Sequence, residues 1–175
     1  MTQTAWSKLE NIRRSLDVYV NAQLAATFAE GDSGIDWEGV PFDDAGKKEW
    51  LQPRLLEPAR PRALFHRQIS TSTDPGHRGQ TVIFILNLNI FVRLGLQTDT
   101  VRAIRLHQLR DTVLSAFTEH TKIDVTDYAG DSSVLGSLVV DRINLDRQIT
   151  QPDLSEDLRQ HALGVEMRWL ERWAA

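Results

Sequence analysis

Residues 35–44 read Ile-Asp-Trp-Glu-Gly-Val-Pro-Phe-Asp-Asp, and residues 49–58 read Glu-Trp-Leu-Gln-Pro-Arg-Leu-Leu-Glu-Pro. Both stretches read as extended segments centred on a tryptophan, and neither places a group to do chemistry. Trp37 and Val40 have the aromatic and branched side chains that suit a pleated strand, and Pro41 turns Val40 away from helix and ends the first segment. Asp43, Asp44 and Gly46 then form a turn-prone cluster. In the second segment Pro53 has no N–H to give a sheet ladder, which puts this strand at an edge or a bulge. An edge is where another chain can dock, so Pro53, Arg54, Leu55 and Leu56 are candidate interface residues.

Upstream, Leu9, Ile12, Leu16, Val20, Leu24 and Phe28 recur at three- and four-residue steps with charged residues between them, which predicts one long amphipathic helix over residues 4–30. Gly31 and the residues after it supply its stop and a turn. Downstream, residues 80–94 form the clearest strand, with Val82, Phe84, Leu86, Leu88, Ile90, Val92 and Leu94 in one row. The opposite row is apolar at Ile83 and Ile85 but polar at Asn87 and Asn89. Such a strand would run about 50 Å against a domain diameter of roughly 40 Å, so it must bend or project. Between the two lie turn formers with a basic bias, and residues 70–79 read as a mobile surface loop. Arg60, Arg62, Arg67 and Arg78 around it are candidate contacts for an acidic partner, set against the plainer reading of a solvated loop.

After the long strand, Thr98 or Asp99 caps a second helix with the apolar set Val101, Ile104, Leu106, Leu109, Val113, Ala116 and Phe117. Residues 122–128 and 138–149 follow as strands, the latter with Val139, Ile143, Leu145 and Ile149 on one parity. The last stretch fits both periods. Val165, Met167 and Trp169 alternate as in a strand, while Leu158, Ala162, Val165, Trp169 and Trp173 fit a helical stripe. The pattern predicts a single α+β domain over residues 1–175: a mixed or antiparallel sheet of about four to six strands, packed against a long N-terminal helix and a second central helix.

The 175 residues are enough for one domain with a real core, and no signal peptide or apolar run of spanning length is present. The absence of cysteine removes disulfides, thiolate nucleophiles and cysteine metal sites. A net charge of −4 lacks the basic excess that drives phosphate binding. The five histidines have neither paired helical spacing nor partner cysteines. Asp124, Asp127 and Asp131, near His120, are the densest carboxylates and would be the metal site of a small hydrolase; in a strand and turn they are more simply solvated. Gly76-His77-Arg78-Gly79 precedes a strand, whereas a phosphate-cradling loop follows one. No catalytic, cofactor or metal residue is assigned. Trp173 fits a subunit or partner contact about as well as it fits burial.

The order of these segments resembles the tail terminator and minor tail protein family of tailed bacteriophages. In that family a long first helix leads to a Trp-x-x-x-Pro-Phe strand end and then a Trp-Leu-x-x-x-Leu strand, here Trp37, Pro41 and Phe42, then Trp50, Leu51 and Leu55. The family ends on a strand, which favours a strand at the C-terminal end here. The resemblance implies a structural virion protein without cofactor, assembled in the host cytoplasm and located at the tail neck. It would form a homohexameric ring on the last ring of tail tube protein, end tube polymerisation and present a surface to the head-tail connector or stopper protein. Tail sheath protein is a further partner, DNA would only pass through the bore, and no membrane is involved. A head-tail joining subunit is the nearest alternative. The metal-dependent hydrolase is the alternative from another class.

Overall fold

In the computed structural model, residues 9–29, 31–56, 67–71, 74–93, 99–128, 130, 132–149 and 158–174 are described, with side chains described outside 67–82, 99–103 and 170–174. The strand with the long apolar row is the spine of the molecule. The elements run α1 (Leu9–Leu24), β1 (Ser33–Ile35), β2 (Glu49–Leu56), β3 (Arg67–Thr71), β4 (Asp74–Arg93), α2 (Asp99–Ala116), β5 (Lys122–Thr126), β6 (Val134–Ile149) and β7 (Leu158–Ala174). They build one mixed sheet in the order β1-β2-β4-β7-β6-β5, with β3 attached to β4. Among the described strands, only the β1–β2 pair is parallel. The α+β architecture expected from the sequence is therefore present, with the last segment a strand.

Alternation decides the faces. Phe84, Leu86, Leu88, Ile90 and Val92 of β4 and Leu163, Val165, Met167 and Trp169 of β7 are buried together with Leu51. Against this face pack Ile12, Leu16, Val20 and Leu24 of α1 and Leu106, Leu109 and Val113 of α2. Each such side chain removed from water contributes about 1.5–3 kcal/mol, so this layer accounts for most of the fold's cohesion. Ile104, expected in the apolar set of α2, is instead 53% exposed.

Polar side chains fix where the helices sit. Asn11 of α1 donates to Asp127 Oδ1 (3.3 Å) and accepts from the Tyr128 N–H (3.1 Å), while the Ser15 hydroxyl oxygen accepts the Thr126 N–H (3.0 Å). These bonds tie α1 to the end of β5. The Tyr19 hydroxyl reaches the Ala116 carbonyl at 2.6 Å and joins the two helices. α2 is clamped to the sheet at two points, by Arg105 on Glu49 of β2 (2.9 and 2.6 Å) and by Arg110 on Asp146 of β6.

Three expectations need correction. The strand before β2 is Ser33–Ile35 alone and is not centred on Trp37, because the chain turns there: Val40 N–H bonds back to the Trp37 carbonyl and Gly39 takes φ 79°. Trp37 is half-buried at the margin of the core. Of the loop expected at 70–79, residues 70–71 and 74–79 lie in strands, since β3 pairs with β4 from Arg67↔Gly79 to Thr71↔Asp74. On β6, register shifts between Val140 and Arg142 and between Ile143 and Leu145 break the single parity, so Leu138 and Val140 are buried while Val139 is not.

Candidate assembly surface

β4 outruns its neighbours. Its pairing with β2 stops at Leu56↔Ile85, and β6 accompanies β7 only as far as Val139↔Arg168. Beyond those points the start of β4 is flanked by β3 on one side and by the end of β7 on the other, with His77↔Ala174 as its outermost β7 pair. Residues 74–84 of β4 thus lie beyond its last pair with β2, about 35 Å of strand at the usual rise per residue, and β3 and β7 both flank it at residues 77–79 to make a three-stranded ribbon. Within the ribbon Arg67 lies opposite Gly79, and Arg78 sits between Gln68 and Trp173. Three of the residues singled out in the sequence, Arg67, Arg78 and Trp173, are thus brought into one ribbon. Arg60 and Arg62 lie outside the described residues.

The four residues around Pro53 are elsewhere, at the far end of β2. β1 stops at Ile35↔Leu51, so among the described residues the outer side of β2 is open from Gln52 onward. Asp36 N–H bonds to the Leu51 carbonyl, which sets the backbone groups of Leu51, and by alternation those of Pro53 and Leu55, toward this open side. Pro53 has no N–H to offer there. Its carbonyl accepts from Arg54 Nη1 at 2.8 Å, and the same guanidinium bonds the Asp36 carbonyl at 2.7 Å and the Asp36 carboxylate at 2.9 Å. Pro53 is buried, Arg54 and Leu55 are half-buried and Leu56 is 45% exposed. The predicted edge is real, but it has been closed against strand addition in the way proteins blunt such edges. A cleft beside it is lined by Arg13, Asp17, Glu38, Pro53 and Leu55, and burial pushes the Asp17 carboxyl up, an effect that Arg13 offsets only in part and Glu38 adds to.

The helix-free face of the sheet holds a feature the sequence hinted at only through Asn87 and Asn89. Gln160 of β7 donates to Asn89 of β4 (3.1 Å), Asn89 to Gln52 of β2 (3.4 Å), and Gln52 to the Asp36 carboxylate (2.6 Å). This amide ladder crosses three adjacent strands. Next to it Trp50 stacks on Phe91 with ring centres 4.8 Å apart and planes 11° from parallel, worth about 1 kcal/mol beyond burial.

On the opposite face, His161 is 5% exposed and its Nε2 lies 2.7 Å from Asp146 Oδ1. Hydrogen bonds from Arg110, and secondarily the one to His161, hold the Asp146 carboxyl down to about 2, against a smaller opposing effect of burial. Sequence spacing could not find this node, because its members come from α2, β6 and β7.

No group of three or more potential ligands for a metal ion is found among the described residues. Asp124 is exposed and accepts from the Ser137 hydroxyl, while Asp127 is buried against Asn11; Asp131 lies outside the described residues. The two described carboxylates of the hydrolase alternative are therefore engaged in separate contacts.

No protein-family model matches this sequence, and no curated protein matches it. The fold does recur. One solved protein, whose name states no function, is similar over 97% of this chain and 99% of its own, with a TM-score of 0.55 at 12% identity.

Proposed function

We propose that this chain is a structural subunit that assembles with copies of itself into a ring at the head-proximal end of a bacteriophage tail tube. The ring ends tube growth and offers the surface that joins the tail to the head connector. The observation that carries this reading is the β3–β4–β7 ribbon, in which β4 and β7 stay paired beyond their ladders with β2 and β6 and offer strand edges to a neighbour. The resemblance of the element order to that of the tail terminator family supports it independently.

Such a protein works by geometry and needs no turnover. One side of the ring repeats the docking surface that a tube subunit would present, and the other lacks what the next tube subunit requires. The acidic balance of the chain suits a bore through which DNA passes, because it does not retain phosphates. The test combines a solution mass measurement with electron microscopy of the protein mixed with polymerising tail tubes. Rings at tube ends and tubes of fixed length are expected; tube growth indifferent to the protein would refute the reading.

A further inference from the structure

The strand edges left open among the described residues are not equivalent. On β2 the edge past Leu51 is closed by Pro53 and by the Arg54 guanidinium on the Pro53 carbonyl. The outer side of β6 past its pairing with β5 carries two register shifts, which break the regular row of N–H and C=O groups that an added strand would follow. β5 is flanked by α1, whose Ser15 takes the Thr126 N–H. β7 has no such device. From Trp169 to Ala174 it stays in unbroken register with β4 and no other described strand pairs with it there, although Gly136 of β6 packs against the Trp169 ring. β3, the other margin of the ribbon, pairs among the described strands with β4 alone, in regular register over Arg67–Ile69 and with a shift before Thr71.

Direction adds a second constraint. β3 and β7 each run antiparallel to β4, so they run the same way as each other. Copies related by rotation about an axis along the ribbon therefore bring β7 of one beside β3 of the next as a parallel pair, and every copy keeps one free margin for its successor. A two-fold axis would pair β7 with β7 and stop at a dimer. We propose that copies of this chain join head to tail through parallel pairing of residues 169–174 of β7 with β3 of the neighbouring copy. The proposal rests on the ring reading above and specifies its seam; the regular hydrogen-bond row of a parallel pair supplies the adhesion without requiring matched side chains.

The chain has no cysteine of its own, which makes single introduced thiols unambiguous. Full-length Gln68→Cys and Arg172→Cys proteins, prepared separately and mixed on tail tubes, are treated with a short bifunctional maleimide. Mixed dimers between the two variants are expected, with little cross-linking of either variant alone. In the unmodified protein, amide hydrogen exchange over residues 169–174 should slow at least tenfold on ring formation. Rings that leave those amides unprotected, or that cross-link Arg172→Cys only to itself, would overturn the seam while leaving the ring reading standing. A protein that stays monomeric on tubes as well as in solution would remove both.

Discussion

Replacing Asp146 by Asn should destabilise the protein by about 1–2 kcal/mol near neutral pH, and the loss should vanish in acid. Asp146 is the meeting point of α2, β6 and β7: Arg110 grips it from the helix and His161 touches it from β7. Its carboxyl is held down from 3.8 to about 2 in the folded chain, principally by Arg110. A carboxyl with a lower pKa folded than unfolded contributes stability that is complete above about pH 4 and fades as pH falls through about 2. At roughly 1.4 kcal/mol per pH unit that gap sets a ceiling of about 2.5 kcal/mol. The Asp146 side chain is 31% exposed, so solvent screening brings the expected value to about 1–2 kcal/mol. The assay is urea unfolding of wild type and Asp146→Asn from pH 7 down to pH 2. A double-mutant cycle with Arg110→Gln should return a coupling of about 1 kcal/mol at pH 7. A stability difference that persists undiminished at pH 2, or a coupling near zero at pH 7, would refute the reasoning.

Two further outcomes follow from the geometry. Arg54→Ala removes the bonds to Asp36 and uncovers the Pro53 carbonyl, so it should cost about 1–2 kcal/mol and raise self-association through the β2 edge; unfolding and light scattering read the two effects, and a variant as monodisperse as wild type would argue that Arg54 does not guard this edge. Gly164→Ala would set a Cβ 2.9 Å from the Leu145 Cβ and closer still to the Asn144 side chain, so a loss of about 1–3 kcal/mol in urea unfolding is expected, and one below about 0.5 kcal/mol would mean that β6 yields freely at its bulge.

What the sequence disclosed and what it hid divide along physical lines. The row from Phe84 to Val92 on β4 and the stripe from Ile12 to Leu24 on α1 were legible because one face of each is buried without interruption, so period and burial coincide. Pro53 announced an edge for a reason intrinsic to its ring. By contrast, residues 67–79 are rich in Ser, Thr, Asp, Pro and Gly, and local preference there argues for a loop; the long pairing of β4 with β7, set by residues about ninety positions on, outweighs it. On β6 the two bulges each insert a residue, which shifts the inward parity and defeats any fixed period. Of the candidate assembly surface, only the presence of an edge and of an overlong strand could be read in advance. That Arg54 closes the first, and that Trp173 and Arg78 meet on the second, depends on register.

The place of β7 in the sheet has a consequence for how the protein comes into being. Lying between β4 and β6, it is the strand that joins the two parts of the sheet, yet in chain order it follows every other described element. Until residues 158–174 have emerged, β4 and β6 have no common partner, and the apolar row of β4 has an unpaired flank. A chain ending before this strand would leave the apolar row of β4 without its longest partner and present an aggregation-prone strand edge.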